Sequence, residues 1–225
     1  MAELNLAQRN NIIRASVMGA NDGILSVSGI VIGVAGATNN TFAIFIAGFA
    51  GALAGTVSMA MGEYVSVHSQ NDAQKRAEIE QKTALETNYA SEVEFVQHKY
   101  MQVGISPALA QKATHEMMAN DALGTTVRER YGFTLHHEVS AMSAAVASMI
   151  SFPIGSLLPM VAITCMPQPI RIIATMGAVL VALAITGFFA ARLSGANTVR
   201  STMRNVIAGI FTMLITYSIG KFIGR

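Results

Sequence analysis

The sequence predicts an all-α integral membrane protein with five transmembrane helices and a three-helix insert between the second and third. Three observations carry that prediction. Of 225 residues, 52% are hydrophobic and 12% charged, about half the ~25% charged content of soluble domains. Five segments, roughly 14–37, 42–67, 138–165, 169–193 and 203–223, hold the ~20 mainly apolar residues that span a bilayer. The charge is also segregated: nine of the thirteen acidic residues lie between Asp72 and Glu129, and all five histidines lie between His68 and His137. The chain therefore reads as 1–67, transmembrane helices one and two; 68–137, a polar helical domain; and 138–225, transmembrane helices three to five. No alternation at period two runs through the apolar segments, which excludes a membrane barrel.

Each element has a local reason. "TNNT" (38–41) is an uncharged polar turn, so helices one and two form an antiparallel hairpin. Helix three contains Pro153 and Pro159, where the missing N–H predicts a kink. "CMPQP" closes it with a short turn. In the insert, "NDAQKRAEIEQKTALE" continues helix two on strong helix formers. "ASEVEFVQHKYMQV" ends at Gly104, and "SPALAQKATHEMMAND" opens on Ser106 as N-cap with Pro107 at the first helical position. "LGTTVRERYGF" leads back to the membrane. Gly19/Gly23, Gly29/Gly33 and Gly51/Gly55 are each four apart, the spacing that lets lipid-embedded helices approach closely, within one subunit or between two.

Orientation follows the basic residues. Arg9, Arg14, Arg192, Arg200 and Arg204 share one side with the insert; Arg171, Lys221 and Arg225 lie on the other. Five against three places the N-terminus and insert in the cytoplasm. "MAELNLAQRNNIIR" lacks the basic start and apolar centre of a signal peptide, and a bacterial inner membrane is the expected location. The net charge of +2 makes no case for nucleic acid, and the single Cys165 excludes an intrachain disulfide or cysteine-cluster metal site.

Three groups of residues carry chemistry. Asp22 stands within an apolar span, where a carboxylate costs ~2.5–3.5 kcal/mol even on insertion scales. A structural role would have it bonded by a neighbouring helix; an ion pathway is the stronger reading. Met59 and Glu63 are four apart on helix two, aiming a thioether and a carboxylate from one face. Such a mixed set suits Mn2+ or Fe2+ better than Mg2+ or Ca2+, which take oxygen alone. The structural alternative is that methionines fill cores. In the insert, Glu80, Glu92, Glu116, Met117, Met118 and Asp121 repeat the same chemistry, among Glu78, Glu86 and Glu94. Met117 and Asp121 fall four apart on one helical face. Charges on a solvated helix face are the competing explanation. No Glu-x-x-His, HExxH, P-loop, GxSxG or GxGxxG is present, so no residue is nominated as a nucleophile and an enzyme is not expected. Adjacent His136 and His137 point ~100° apart on a helix and make no site by themselves.

"MGANDGILSVSGIVIGVAGA" and "SMAMGEYVSVHSQND" resemble the signature helices of the vacuolar iron transporter family of Fe2+/Mn2+ transporters, and the likeness covers essentially the whole chain. The resemblance implies a homodimer with an ion pathway between subunits, exchange of cytosolic metal for protons, and a membrane-proximal metal-binding domain. It places Asp22 as the membrane carboxylate and Met59 as the pathway methionine. Glu92, Met117, Met118 and Asp121, with Glu80, fall where metal ligands of the insert are expected. Two departures stand out. Gly51 replaces an intramembrane glutamate of plant members, while Glu63 stands where those members have glycine. Phe95 occupies a ligand position, and Asp121 is shorter than the glutamate it replaces.

The expected function is proton-coupled export of Fe2+ or Mn2+ from the cytosol, with the metal as cargo and no prosthetic group. Metal and proton compete for Asp22, which is a basis for exchange. The alternative is a membrane-anchored metal sensor or buffer, in which Asp22 has no task.

Overall fold

A computed structural model describes residues 6–135 and 139–224; the His136–His137 pair lies outside the described residues. Among these residues the chain is all helical, with seven helices: α1 (Leu6–Ala37), α2 (Thr41–Thr87), α3 (Tyr89–Gln102), α4 (Pro107–Tyr131), α5 (Ala141–Cys165), α6 (Arg171–Ser194) and α7 (Thr198–Ile223). Five of them, α1, α2, α5, α6 and α7, are long and apolar enough to cross a membrane. The chain divides into two compact units, Met1–Ser66 with Ser140–Arg225, and Val67–Val139.

Helix ends differ from the hydropathy limits wherever a polar turn is itself helical. α1 starts at Leu6 rather than 14, taking "LAQRNNII" into its first turns. α7 starts at Thr198 rather than 203, because the Asn197 side chain caps it by accepting from the Arg200 N–H at 3.0 Å. α5 is capped by Ser140, which accepts from the Ser143 N–H at 3.2 Å. It runs as one helix through Pro153 and Pro159; in lipid, side chains and neighbouring helices compensate the backbone groups that proline frees. The TNNT turn is tight because the Asn40 side chain accepts from the N–H groups of Phe42 and Ala43, at 3.0 and 3.1 Å.

In the first unit α1 is the axis. Ile24, Val27, Val31, Ile32 and Ala35 of α1 form one core cluster with Ile44 of α2, Phe152, Met160 and Ile163 of α5, Val179 and Leu183 of α6, and Met213 of α7. Two glycine faces allow this. A Cβ at Gly23 would collide with the Phe152 carbonyl of α5, and one at Gly220 of α7 with the Gly33 carbonyl of α1. Gly55 of α2 likewise receives the Phe152 ring. The small-residue pairs that the sequence left open between inter- and intrasubunit packing thus all have intrasubunit neighbours. Arg171, only 2% exposed, reaches the Thr38 carbonyl at 3.4 Å and the Thr41 hydroxyl at 3.2 Å. It pins the α1–α2 turn at the negative end of α1's dipole.

In the second unit α3 packs against α4, with Val96, Ala110, Met118 and Val127 buried, and Gln81 of α2 donates to Glu92 of α3 at 2.6 Å. The buried Asn71 side chain donates to the Val139 carbonyl at 3.0 Å, tying the two ends of the unit together. α4 is not one continuous helix: Asp121 is extended, with φ −152° and ψ 86°.

Replacing Gly23 with Val should destabilise the protein by about 2 kcal/mol, because backbone rather than a movable side chain blocks the new atoms. Gly177→Ala, with nothing within 4 Å of the new methyl group, should cost nothing. Thermal unfolding of the two variants in detergent checks the contrast.

Candidate metal pathway and metal-binding residues

The membrane carboxylate and its neighbour Asn21 have opposite surroundings, since successive helix positions point ~100° apart. Asn21 faces inward: its carbonyl oxygen accepts from Asn205 Nδ2 at 3.1 Å and from the Thr186 hydroxyl at 3.4 Å. It therefore joins α1 to α6 and α7. Asp22, halfway along α1, is exposed on the protomer and accepts from the Ser26 hydroxyl of its own helix at 2.7 Å. The interhelical structural role weighed for Asp22 belongs to Asn21 instead. The clue in the sequence was only that two polar residues stand side by side, one of them uncharged.

Asp22 lies on a stripe of α1 spaced by turns: Arg14, Met18, Asp22, Ser26. Met18 is 47% exposed. At the head of the stripe Arg14 reaches across to Glu63 of α2. Its Nη2 lies 2.8 Å from Oε2 and its Nη1 3.3 Å from Oε1. Glu63 is 7% exposed, so the arginine supplies the charge compensation that a buried carboxylate requires. Met59, one turn before Glu63, is half-buried and packs against the core cluster. The sequence reading missed Arg14 and Met18, although their four-residue spacing from one another and from Asp22 was visible.

The residues proposed in the second unit have separate surroundings. Glu80 pairs with Arg76 one turn back at 2.8 Å, and Glu116 lies 3.9 Å from Lys112; both glutamates are solvent-exposed. Glu92 is buried and fully engaged. Arg130 donates to Oε1 and Oε2 at 3.0 and 2.8 Å, and Gln81 donates to Oε2 at 2.6 Å. The Arg130 guanidinium also stacks 3.9 Å above the Phe95 ring. Phe95 thus belongs to a cation–π and ion-pair cluster joining α3 to the end of α4. Met118 is 3% exposed and belongs to the unit's core.

Met117 and Asp121 do share one space, but not through the continuous helix face that the spacing predicted. Asp121 breaks the helix and caps the turn after it, its Oδ1 accepting from the Gly124 N–H at 2.8 Å. The carbonyls of Met117 and Met118 accept from the Thr125 and Tyr89 hydroxyls, both at 3.4 Å. A cavity of about 610 Å³ forms there, lined by Glu78, Met117, Asp121 and Arg128 among others. The Tyr100 hydroxyl lies within reach of Met117 Sδ at 3.2 Å and Glu129 Oε1 at 3.1 Å. Burial, reinforced by the Glu129 carboxylate, pushes the Tyr100 phenol above its ordinary value, so it stays a neutral donor. Among the described residues, no three His, Cys, Asp or Glu side chains converge as a metal site within one chain.

The VIT family model matches residues 13–221, all but the ends of the chain. The chain belongs to the VIT family. Three relatives illustrate the likeness. A vacuolar iron transporter of Acanthamoeba castellanii is 32% identical over 209 residues, covering 92% of this chain and 77% of that protein. Vacuolar iron transporter homolog 1 of Oryza sativa is 32% identical, covering 98% and 78%. Vacuolar iron transporter homolog 2.1 of Arabidopsis thaliana is 29% identical, covering 99% and 86%. These VIT-family relatives match along both units, so the membrane helices and the second unit belong to one inherited architecture.

The Glu92 cluster yields a prediction. Arg130→Met leaves a buried carboxylate without its counter-charge and should destabilise the second unit by about 3 kcal/mol. Replacing both Arg130 and Glu92 with Met should recover most of that loss. Hydrogen exchange of α3 and α4 in the full-length protein measures both.

Proposed function

We propose that this VIT-family protein is a homodimeric transporter that moves Fe2+ or Mn2+ out of the cytosol in exchange for protons. The observation that carries this reading is Asp22: a carboxylate halfway along a membrane helix, turned outward from its own subunit's core. Facing lipid it would cost ~2.5–3.5 kcal/mol. A second copy covering that face would remove it from lipid and bring two such carboxylates to a shared pathway. The relatives' names, iron transporters of the vacuole, supply the class of cargo.

In this reading a divalent ion is bound by Asp22 within the membrane and handed along by Met59, whose soft thioether disfavours Mg2+ and Ca2+, which take oxygen alone. Proton and metal compete for the same Asp22 oxygens, so a proton arriving from the far side releases the ion. Met117, Asp121 and Glu78, which share one cavity, are the stronger candidates for holding metal in the second unit; Glu80 and Glu116 would contribute as exposed carboxylates. Glu92 and Met118 act through the fold. The basic residues place the N-terminus in the cytoplasm, and in a bacterial plasma membrane this orientation carries metal out of the cell.

Purified protein in liposomes carrying a metal-quenched dye and a pH dye tests the proposal. Wild type should admit Fe2+ and Mn2+ with counterflow of protons, and Asp22→Asn should lose that flux while eluting as the same dimer. Met59→Leu should lower Fe2+ and Mn2+ flux roughly tenfold, about the value of one lost ligand. Metal binding without entry, unchanged by Asp22→Asn, would instead support the sensor or buffer.

A further inference from the structure

The Arg14 guanidinium gathers acceptors of an unusual kind. Nη2 donates to Asn11 Oδ1 at 3.0 Å and to Glu63 Oε2 at 2.8 Å. Nη1 lies between Glu63 Oε1 at 3.3 Å and the Met18 thioether at 3.4 Å. One positive group is thus ringed by an amide oxygen, both oxygens of a buried carboxylate, and a sulfur. An arginine needs no thioether for its own stability, because a carboxylate and an amide are far better acceptors. Helix periodicity brings Asn11 and Met18, three and four residues from Arg14 on α1, to the same guanidinium that pairs with Glu63 of α2.

The geometry points to a divalent-metal site built from Asn11, Met18 and Glu63, in which Arg14 sits as a tethered cation that the incoming ion displaces. This rests on the transport reading for its place in a cycle, though not for its binding chemistry. The donor set, oxygens with one sulfur, favours Fe2+ and Mn2+ over Mg2+ and Ca2+.

The tethered arginine adds a second filter. A monovalent ion replacing it brings no extra charge and forfeits a paired, directional ion pair. A divalent ion brings one more unit of charge to a carboxylate that is 7% exposed and frees Arg14, which is 47% exposed on its side chain, to swing into water. Na+ and K+ are therefore refused at Glu63, while a transition metal is accepted. Arg14, Met18 and Asp22 lie on one stripe of α1, so an ion admitted at Glu63 and Met18 is delivered one turn from the membrane carboxylate.

The test uses full-length protein and Mn2+ alone as probe, with bound and free ion separated by electron paramagnetic resonance. Arg14→Gln removes the competitor and should tighten Mn2+ binding about tenfold, the value of one charge-assisted contact. Adding Glu63→Gln should abolish the gain, and adding Met18→Leu should let Mg2+ compete where it did not before. Arg14→Lys keeps the charge but loses the forked donors, and should show a smaller gain of the same sign. It also serves if Arg14→Gln fails to fold. Binding no tighter than wild type in the folded variants, or a gain that survives Glu63→Gln, overturns the site. Because this is an equilibrium measurement, a wild type that carries no flux would overturn the transport reading and leave the Glu63 site standing.

Discussion

Between helices already surrounded by lipid, little hydrophobic driving force favours contact, and association depends on how closely backbones can approach. In this protein that constraint is met at α1, whose glycines admit the Phe152 carbonyl of α5 on one side and Gly220 of α7 on another. α1 is thereby held with a defined rotation about its own axis. Once Gly23 is turned toward α5 and Asn21 toward α6 and α7, the stripe through Arg14, Met18 and Asp22 has only the outside left to face. The exposure of a membrane carboxylate is a consequence of how the glycines pack.

The same logic explains why neighbouring polar residues have different tasks. Asn21 is uncharged, so it can be enclosed once two hydrogen bonds satisfy its carbonyl oxygen, and it serves as interhelical glue. Asp22 carries charge and is placed where an ion or a second subunit can meet it. Glu63 is the exception that shows the rule, since it is buried and carries its counter-charge with it. Its guanidinium partner also touches the Met18 thioether.

In the second unit, single side chains decide the local structure. With Phe95 beneath Arg130, the Glu92 carboxylate becomes part of an ion-pair and stacking cluster that binds α3 to α4. Asp121, one methylene shorter than glutamate, is the right length to cap the helix that restarts after it. α4 is interrupted at Asp121, and Met117 and Asp121 both line one cavity there.

The sequence alone determined the all-helical class and the five spans. Each of these depends on composition or period over many residues, where bilayer thickness and helix geometry leave little freedom. α1 and α7 extend beyond their apolar stretches, because hydropathy marks the span and ignores polar turns that are equally helical. The sequence paired Met117 with Asp121 by counting along an unbroken helix, when the backbone breaks at Asp121 itself. Only the tertiary structure decided which partner each charge takes: Arg14 for Glu63, Arg130 for Glu92, Arg171 for the α1–α2 turn. These pairs join residues 38 to 133 positions apart, and no local pattern encodes such a distance. It is set by which helix faces meet once the glycines have chosen their neighbours.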